Sequence, residues 1–231
     1  KPKQIAFICP PEWLTFAAIG IHVAALDPAM FKKEWKKSPA PSVFFVDSSY
    51  KKSNEARRSL REGEAIAEGK NLVRILGTLP PNILNQKTYA ELCMALGKKW
   101  RIPVKRVPQK ELKNYELLQA VSFGSGSPSE LIIFELQPDS GPTEKASAFI
   151  GKGLCYDSGG LIGKQDRMKG MKEDMAGSAV LLATLLVMLK NGWDVKETTY
   201  FLLPIAQNMM GCQAMRADDI FTAGDGQKVE V

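Results

Sequence analysis

One stretch constrains the fold more than any other: GKGLCYDSGGLIGKQDRMKGMKEDMAG at 151–177, set between two apolar segments. Before it, Ala146–Gly151 (ASAFIG) has the length and apolar content of a strand. After it, Ala176–Lys190 reads as a nearly all-apolar helix, and Thr198–Ile205 (TTYFLLPI) as the next strand. Apolar strands alternating with apolar helices predict an α/β domain, a mostly parallel mixed sheet flanked by helices. In such sheets chemistry gathers at the carboxyl ends of strands. Lys152 and Asp157 follow the strand ending at Gly151, and Asp174 directly precedes the helix, so a loop between them is the expected site. Glycine lets backbone pass close to a ligand. Lysines and aspartates confined there are expected to be buried, and buried charges must be paired or bound to metal.

The rest of the chain supplies more elements of the same kind. Gln4–Cys9 reads as a strand, Trp13–Leu26 as a helix ended by Asp27–Pro28, and Ser42–Asp47 as a buried strand. Ser53–Leu79 has the apolar stripe of a long amphipathic helix, stopped by Pro80–Pro81. Thr88–Lys99 predicts a second helix, Pro103–Val107 a strand, Lys110–Gln119 a short helix and Leu131–Leu136 a continuous apolar strand. Polar SSYKKSNEARR at 48–58 suggests a domain boundary before the long helix.

Composition narrows the chemistry. The only histidine, His22, lies in an apolar helical segment, so a zinc site built from several imidazoles is excluded and a Ser–His–Asp triad has no well-placed base. None of the four cysteines forms a C-x-x-C pair, which fits reduced thiols in a cytoplasmic protein; Cys155 as a nucleophile would lack a neighbouring base. The longest apolar run, Ala176–Leu189, is too short to span a bilayer, and no secretory signal is legible near the start. The first 115 residues hold 21 Lys/Arg against 10 Asp/Glu and the remainder 10 against 15. The basic half could meet nucleic acid, yet pairs such as Lys32–Lys33, Lys36–Lys37 and Lys51–Lys52 are not interleaved with aromatics, and a solvated surface is the plainer reading.

Residue types leave three readings of the 151–177 stretch open. Asp157 and Asp174 could supply oxygens to a divalent ion, with Lys152 as an unusual amine ligand that must first lose its proton and Lys164 stabilising negative charge. GKG could belong to a phosphate loop, although the G-x-x-x-x-G-K-[ST] spacing is missing. The glycines could be plain turns, with Asp174 a helix cap.

The run GKGLCYDSGG followed by Lys164 and by MKGMKEDMAGSA closely resembles the signature of the leucyl aminopeptidase (cytosol aminopeptidase) family. NLVRILGTLPPNILNQKTYAELC at 71–93 and FLLPIAQNMMGCQAMRADDIFTAGDGQKVEV at 201–231 are similar to other segments of that family in the same order. The likeness covers about residues 66–231 and implies a leucyl aminopeptidase-type catalytic domain over 53–231, preceded over 1–52 by the end of a smaller α/β N-terminal domain. It implies that Lys152, Asp157 and Asp174 bind metal, Asp157 bridging two ions. Lys164 matches the catalytic lysine and Met171 the wall of the pocket for the first side chain; all five would touch substrate. The implied cofactors are two divalent ions, zinc or manganese and possibly magnesium, with bicarbonate in the complete site. The implied protein is a cytoplasmic homohexamer that removes N-terminal, leucine-like residues from peptides; some family members also bind DNA.

The family's remaining ligands, an Asp and a Glu, and its catalytic Arg lie in a segment resembling NTDAEGR, which is expected just after Val231. The chain is therefore expected to be a C-terminally truncated catalytic domain, inactive alone. The loop from Lys164 to Asp174 is one residue shorter than usual, Gly163 replaces a bulkier residue, and Gln207 stands where an acidic residue is common. The rival expectations are a non-catalytic pseudoenzyme or scaffold of the same fold, and DNA binding through the basic half.

Overall fold

Short apolar runs become strands and longer periodic ones become helices along this chain, and the order of elements follows from that alternation. The computed structural model describes residues 4–26, 42–46, 54–164 and 168–231. Its elements are β1 (Gln4–Ile8), α1 (Leu14–Ala25), β2 (Ser42–Val46), α2 (Asn54–Thr78), α3 (Gln86–Trp100), β3 (Val104–Arg106), α4 (Gln109–Leu112), α5 (Glu116–Ser122), β4 (Glu130–Leu136), β5 (Ala146–Ile150), β6 (Gly153–Asp157), α6 (Ala176–Asn191), β7 (Thr198–Asn208), β8 (Ile220–Thr222) and β9 (Lys228–Glu230). The expected domain boundary at 52/53 and the lysine pairs at 32–37 and 51–52 lie outside the described residues. Among the described residues, no helix is long and apolar enough to cross a membrane.

The chain divides into two compact units, Lys1–Ile75 with Leu182–Trp193, and Leu76–Leu181 with Asp194–Val231. In the first, β1 and β2 pair in parallel from Gln4↔Ser42 to Ile8↔Val46. β2 was expected to be buried, but its exposure alternates, and Phe44 and Val46 are each about half exposed. Helix α2 comes close to α1 at Gly63, where a Cβ would lie 2.7 Å from Ala18 Cβ. The last carbonyls of α1 have no partner within the helix. Arg74 of α2 supplies one, its guanidinium donating to the carbonyls of Val23 (2.6 Å) and Leu26 (3.4 Å).

The second unit is built on a five-stranded sheet with the order β3-β4-β7-β5, and β6 also pairs with β7. β3 runs antiparallel to β4, and β4 antiparallel to β7, whereas β5 and β6 run parallel to β7. The sheet is thus mixed rather than mostly parallel. β4 (ELIIFEL) misled because Leu131, Ile132 and Phe134 are all buried, and a strand covered on both faces shows the same apolar run whatever its direction.

Strand β7 is 11 residues long and carries two short partners end to end. β5 lies against its first half, Ala146↔Thr198 to Ile150↔Leu202, and β6 against its second, Gly153↔Ile205 to Asp157↔Asn208. The expected loop after Gly151 is therefore a step into another strand. Glycine makes the step possible: a Cβ at Gly151 would lie 2.8 Å from Ser178 Cα, and one at Gly177 would lie 3.0 Å from Lys152 N. The first turn of α6 can thus press against the backbone at 151–152, where the Ser178 N–H donates to the Lys152 carbonyl at 2.9 Å.

The single helix expected over Lys110–Gln119 is split into α4 and α5. Leu112 is fully buried with Val107 and Leu131, and this anchor ends the first helix in a turn at Lys113–Tyr115 that helix propensity alone does not reveal.

Candidate metal and catalytic centre

Asp157 reaches its place through a defect in β6. Pairing with β7 passes from Leu154↔Ala206 directly to Tyr156↔Gln207, leaving Cys155 as a β-bulge. The extra residue shifts the pairing register by one beyond it, and so Asp157 closes the strand opposite Asn208, on the same buried side as Gly153 and Cys155. Gly159 (φ +82°) and Gly160 (φ +60°) then turn the chain back in the left-handed region, and the Lys164 N–H donates to the Ser158 carbonyl at 2.9 Å.

This turn brings donors around one carboxylate. Asp157 Oδ1 accepts from the Gly159 N–H and from Asn208 Nδ2, both at 3.0 Å, and Oδ2 takes a close ion pair from Lys164 Nζ. Burial is the largest single influence on this carboxyl and pushes its pKa up. The Lys164 ammonium, the Gly159 N–H and the Asn208 amide together outweigh it and hold the pKa below the usual carboxylate value.

Asp174 comes from the other side of the sequence. Gly170 (φ +91°) opens a 3-10 turn over Met171–Glu173, pinned by Lys172 Nζ donating to the Thr78 carbonyl at 2.7 Å, and Asp174 follows it at the entry to α6. Asp174 Oδ2 lies 2.8 Å from Lys152 Nζ, but the approach is out of line for a hydrogen bond. That oxygen is closed to solvent and has no hydrogen-bond donor. Met171 Sδ lies 3.4 Å from Lys164 Nζ.

The five residues singled out from sequence therefore form two ion pairs, Lys152 with Asp174 and Lys164 with Asp157, with Met171 beside the second. The burial expected of all these charges is uneven. The Asp157 side chain is 12% exposed, whereas that of Lys152 is 57% exposed. Cys155 is buried, and burial pushes its thiol up to about 12, so it remains neutral and is no nucleophile. His22 lies on α1, 3.6 Å from Glu64. Asn208 and the Gly159 N–H were missed from sequence, because β7 was expected to end at Ile205 and a bulge leaves no periodic signal.

The donor set is two carboxylates and two amines; among the described residues no three His, Cys, Asp or Glu side chains gather in one place. Carboxylate oxygen and neutral amine nitrogen suit a divalent ion of hard or borderline character. The buried Asp174 Oδ2 makes no hydrogen bond and has the Lys152 amine 2.8 Å away, so an oxygen and a nitrogen ligand stand side by side where a metal ion could take both. The residues present fit a metal.

Several known proteins are similar to this chain. A probable cytosol aminopeptidase of Mycoplasma genitalium is 34% identical over 180 residues, 77% of this chain and 40% of the relative. One of Desulfovibrio desulfuricans is 36% identical over 174 residues, 74% of this chain and 34% of the relative. Among solved structures, the bottromycin maturation enzyme BotP in complex with Mn matches 99% of this chain and 49% of its own, with a TM-score of 0.82 and 25% identity. The cytosol aminopeptidase of Coxiella burnetii shares the fold at a TM-score of 0.79 and 22% identity, over 100% of this chain and 48% of its own. The chain thus spans about 40% of the length of the first of these curated relatives and about half that of the similar structures. Residues 71–231 match the catalytic domain of the cytosol aminopeptidase family, and the chain belongs to that family.

Proposed function

We propose that this chain is part of a metal-dependent aminopeptidase that releases N-terminal, leucine-like residues from peptides through a two-metal site, in a cytoplasmic homo-oligomer of hexamer type. The observation that carries the reading is the pairing of Lys152 with Asp174, whose buried Oδ2 makes no hydrogen bond, in a chain of this family. Lys152, Asp157 and Asp174 would hold the metal, Asp157 shared between two ions. Zinc or manganese bound there would lower the pKa of a water and polarise the scissile carbonyl.

The chain's own groups have distinct tasks in this reading. Lys152 Nζ would ligate as a neutral amine beside Asp174 Oδ2. Lys164 Nζ, paired here with Asp157 Oδ2, would donate to the carbonyl oxygen as negative charge develops. Met171, in contact with Lys164 Nζ, would offer an apolar wall to the side chain of the residue being removed.

The test is hydrolysis of leucine p-nitroanilide with added manganese by the natural full-length protein and its Lys164→Ala and Asp174→Asn variants. Loss of one oxyanion donor costs about 100- to 1,000-fold in kcat, and Lys164→Ala is expected to fall in that range. An inactive parent, or variants as fast as the parent, would overturn the proposal in favour of a non-catalytic scaffold.

A further inference from the structure

We infer that Asn208 is a positioning residue, resting on the reaction proposed above: its side chain sets the rotation of the Asp157 carboxylate so that Oδ2 alone faces the reaction space. An Asp carboxylate turns easily about its last side-chain bond, and its two oxygens are chemically alike. Here they are made unlike. Both neutral donors, Asn208 Nδ2 and the Gly159 N–H, lie 3.0 Å from Oδ1, and Oδ2 is left to the Lys164 ammonium.

Asn208 is itself held in a way that separates its backbone from its side chain. It closes β7 opposite Asp157. Its carbonyl accepts from the Ser158 N–H at 2.8 Å and from Ser158 Oγ at 2.9 Å, so the backbone stays tied to β6 whatever the side chain is. On the far side of the amide, a Cβ at Gly160 would come within 3.1 Å of Asn208 Oδ1, so glycine at 160 leaves the amide its room. An acceptor at Asp157 Oδ1 requires the NH2 end of the amide on that side. The contact is therefore directional: a donor at 208 orients Asp157, and an acceptor of the same shape repels it.

Partners that orient a ligating group typically change metal affinity by about 10- to 100-fold when removed. The experiment measures manganese binding by calorimetric titration and leucine p-nitroanilide kinetics for the full-length protein and for Asn208→Ala, Asn208→Asp and Asp157→Asn. Asn208→Ala is expected to weaken manganese binding by about 10- to 100-fold while its thermal midpoint without metal stays near that of the parent. The isosteric Asn208→Asp is expected to weaken it further. At saturating manganese, kcat of Asn208→Ala should recover in part and KM should change little, a pattern that loosening of the fold would not produce. If the parent binds manganese and Asp157→Asn abolishes binding, yet Asn208→Ala binds as tightly as the parent, the role of Asn208 is overturned and the peptidase reading survives. If the parent neither binds manganese nor turns over, both fail.

Discussion

Individual thiols show how much one residue's surroundings decide. Cys212 is exposed, whereas Cys9, Cys93 and Cys155 are buried. Burial raises the Cys93 thiol strongly and takes Cys155 up to about 12, so both stay neutral well past pH 9. Thiolate is the reactive form, and an aromatic disulfide reagent at pH 8 is expected to label Cys212 quickly in the native chain. Cys93 and Cys155 should react only after denaturant is added. Labelling of Cys155 at the rate of Cys212, read by peptide mass mapping, would contradict its burial in β6. The candidate residues drew notice for a different reason: Lys152, Asp157, Lys164 and Asp174 stand out as charges between an apolar strand and an apolar helix. Which lysine meets which aspartate was not legible. That depends on the bulge at Cys155 and the left-handed turn at Gly159–Gly160, which no spacing rule encodes.

Elements were easiest to read where one signal acted alone. Long periodic runs gave α2 and α3 to within two residues, and Asn85 caps α3 by accepting from the Thr88 N–H while Thr88 Oγ1 accepts from the Asn85 N–H. The reading failed where packing overrode propensity, as in the α4–α5 break and in β6. Two helical glycines isolate that competition. At Gly20 of α1 a Cβ would meet nothing within 4 Å. Gly20→Ala is therefore expected to stabilise by about 0.5–1 kcal/mol through helix propensity alone. At Gly97 of α3 a Cβ would fall 2.7 Å from Val104 Cβ and 3.4 Å from Phe134 Cε1. Overpacking of that kind costs about 1–3 kcal/mol, more than the roughly 1 kcal/mol of propensity gained, so Gly97→Ala is expected to destabilise. Urea unfolding of both variants checks the signs; shifts in the same direction would mean that close approach between α3 and β3 does not govern the second site.

At the scale of the whole molecule, contact and chain order part company. Helix α6 gives Ala176–Leu181 to one compact unit and Leu182–Asn191 to the other, a division that composition along the chain cannot reveal. All the candidate ligands, Lys152, Asp157 and Asp174, belong to the unit formed by Leu76–Leu181 and Asp194–Val231. A metal bound only by the folded form stabilises by mass action, about 2.7 kcal/mol at a free concentration 100 times its Kd. For a chain of this size that corresponds to a rise of roughly 5–10 °C in the unfolding midpoint. Scanning calorimetry with and without manganese is expected to show this rise in the transition that reports the ligand-bearing unit, and Asp174→Asn is expected to remove it. If the other unit melts in a separate transition, that one should stay in place, because it holds none of the three ligands. A shift of equal size in Asp174→Asn would put the ion elsewhere, and with it the assignment of Lys152 and Asp174 as partners in metal binding would fall.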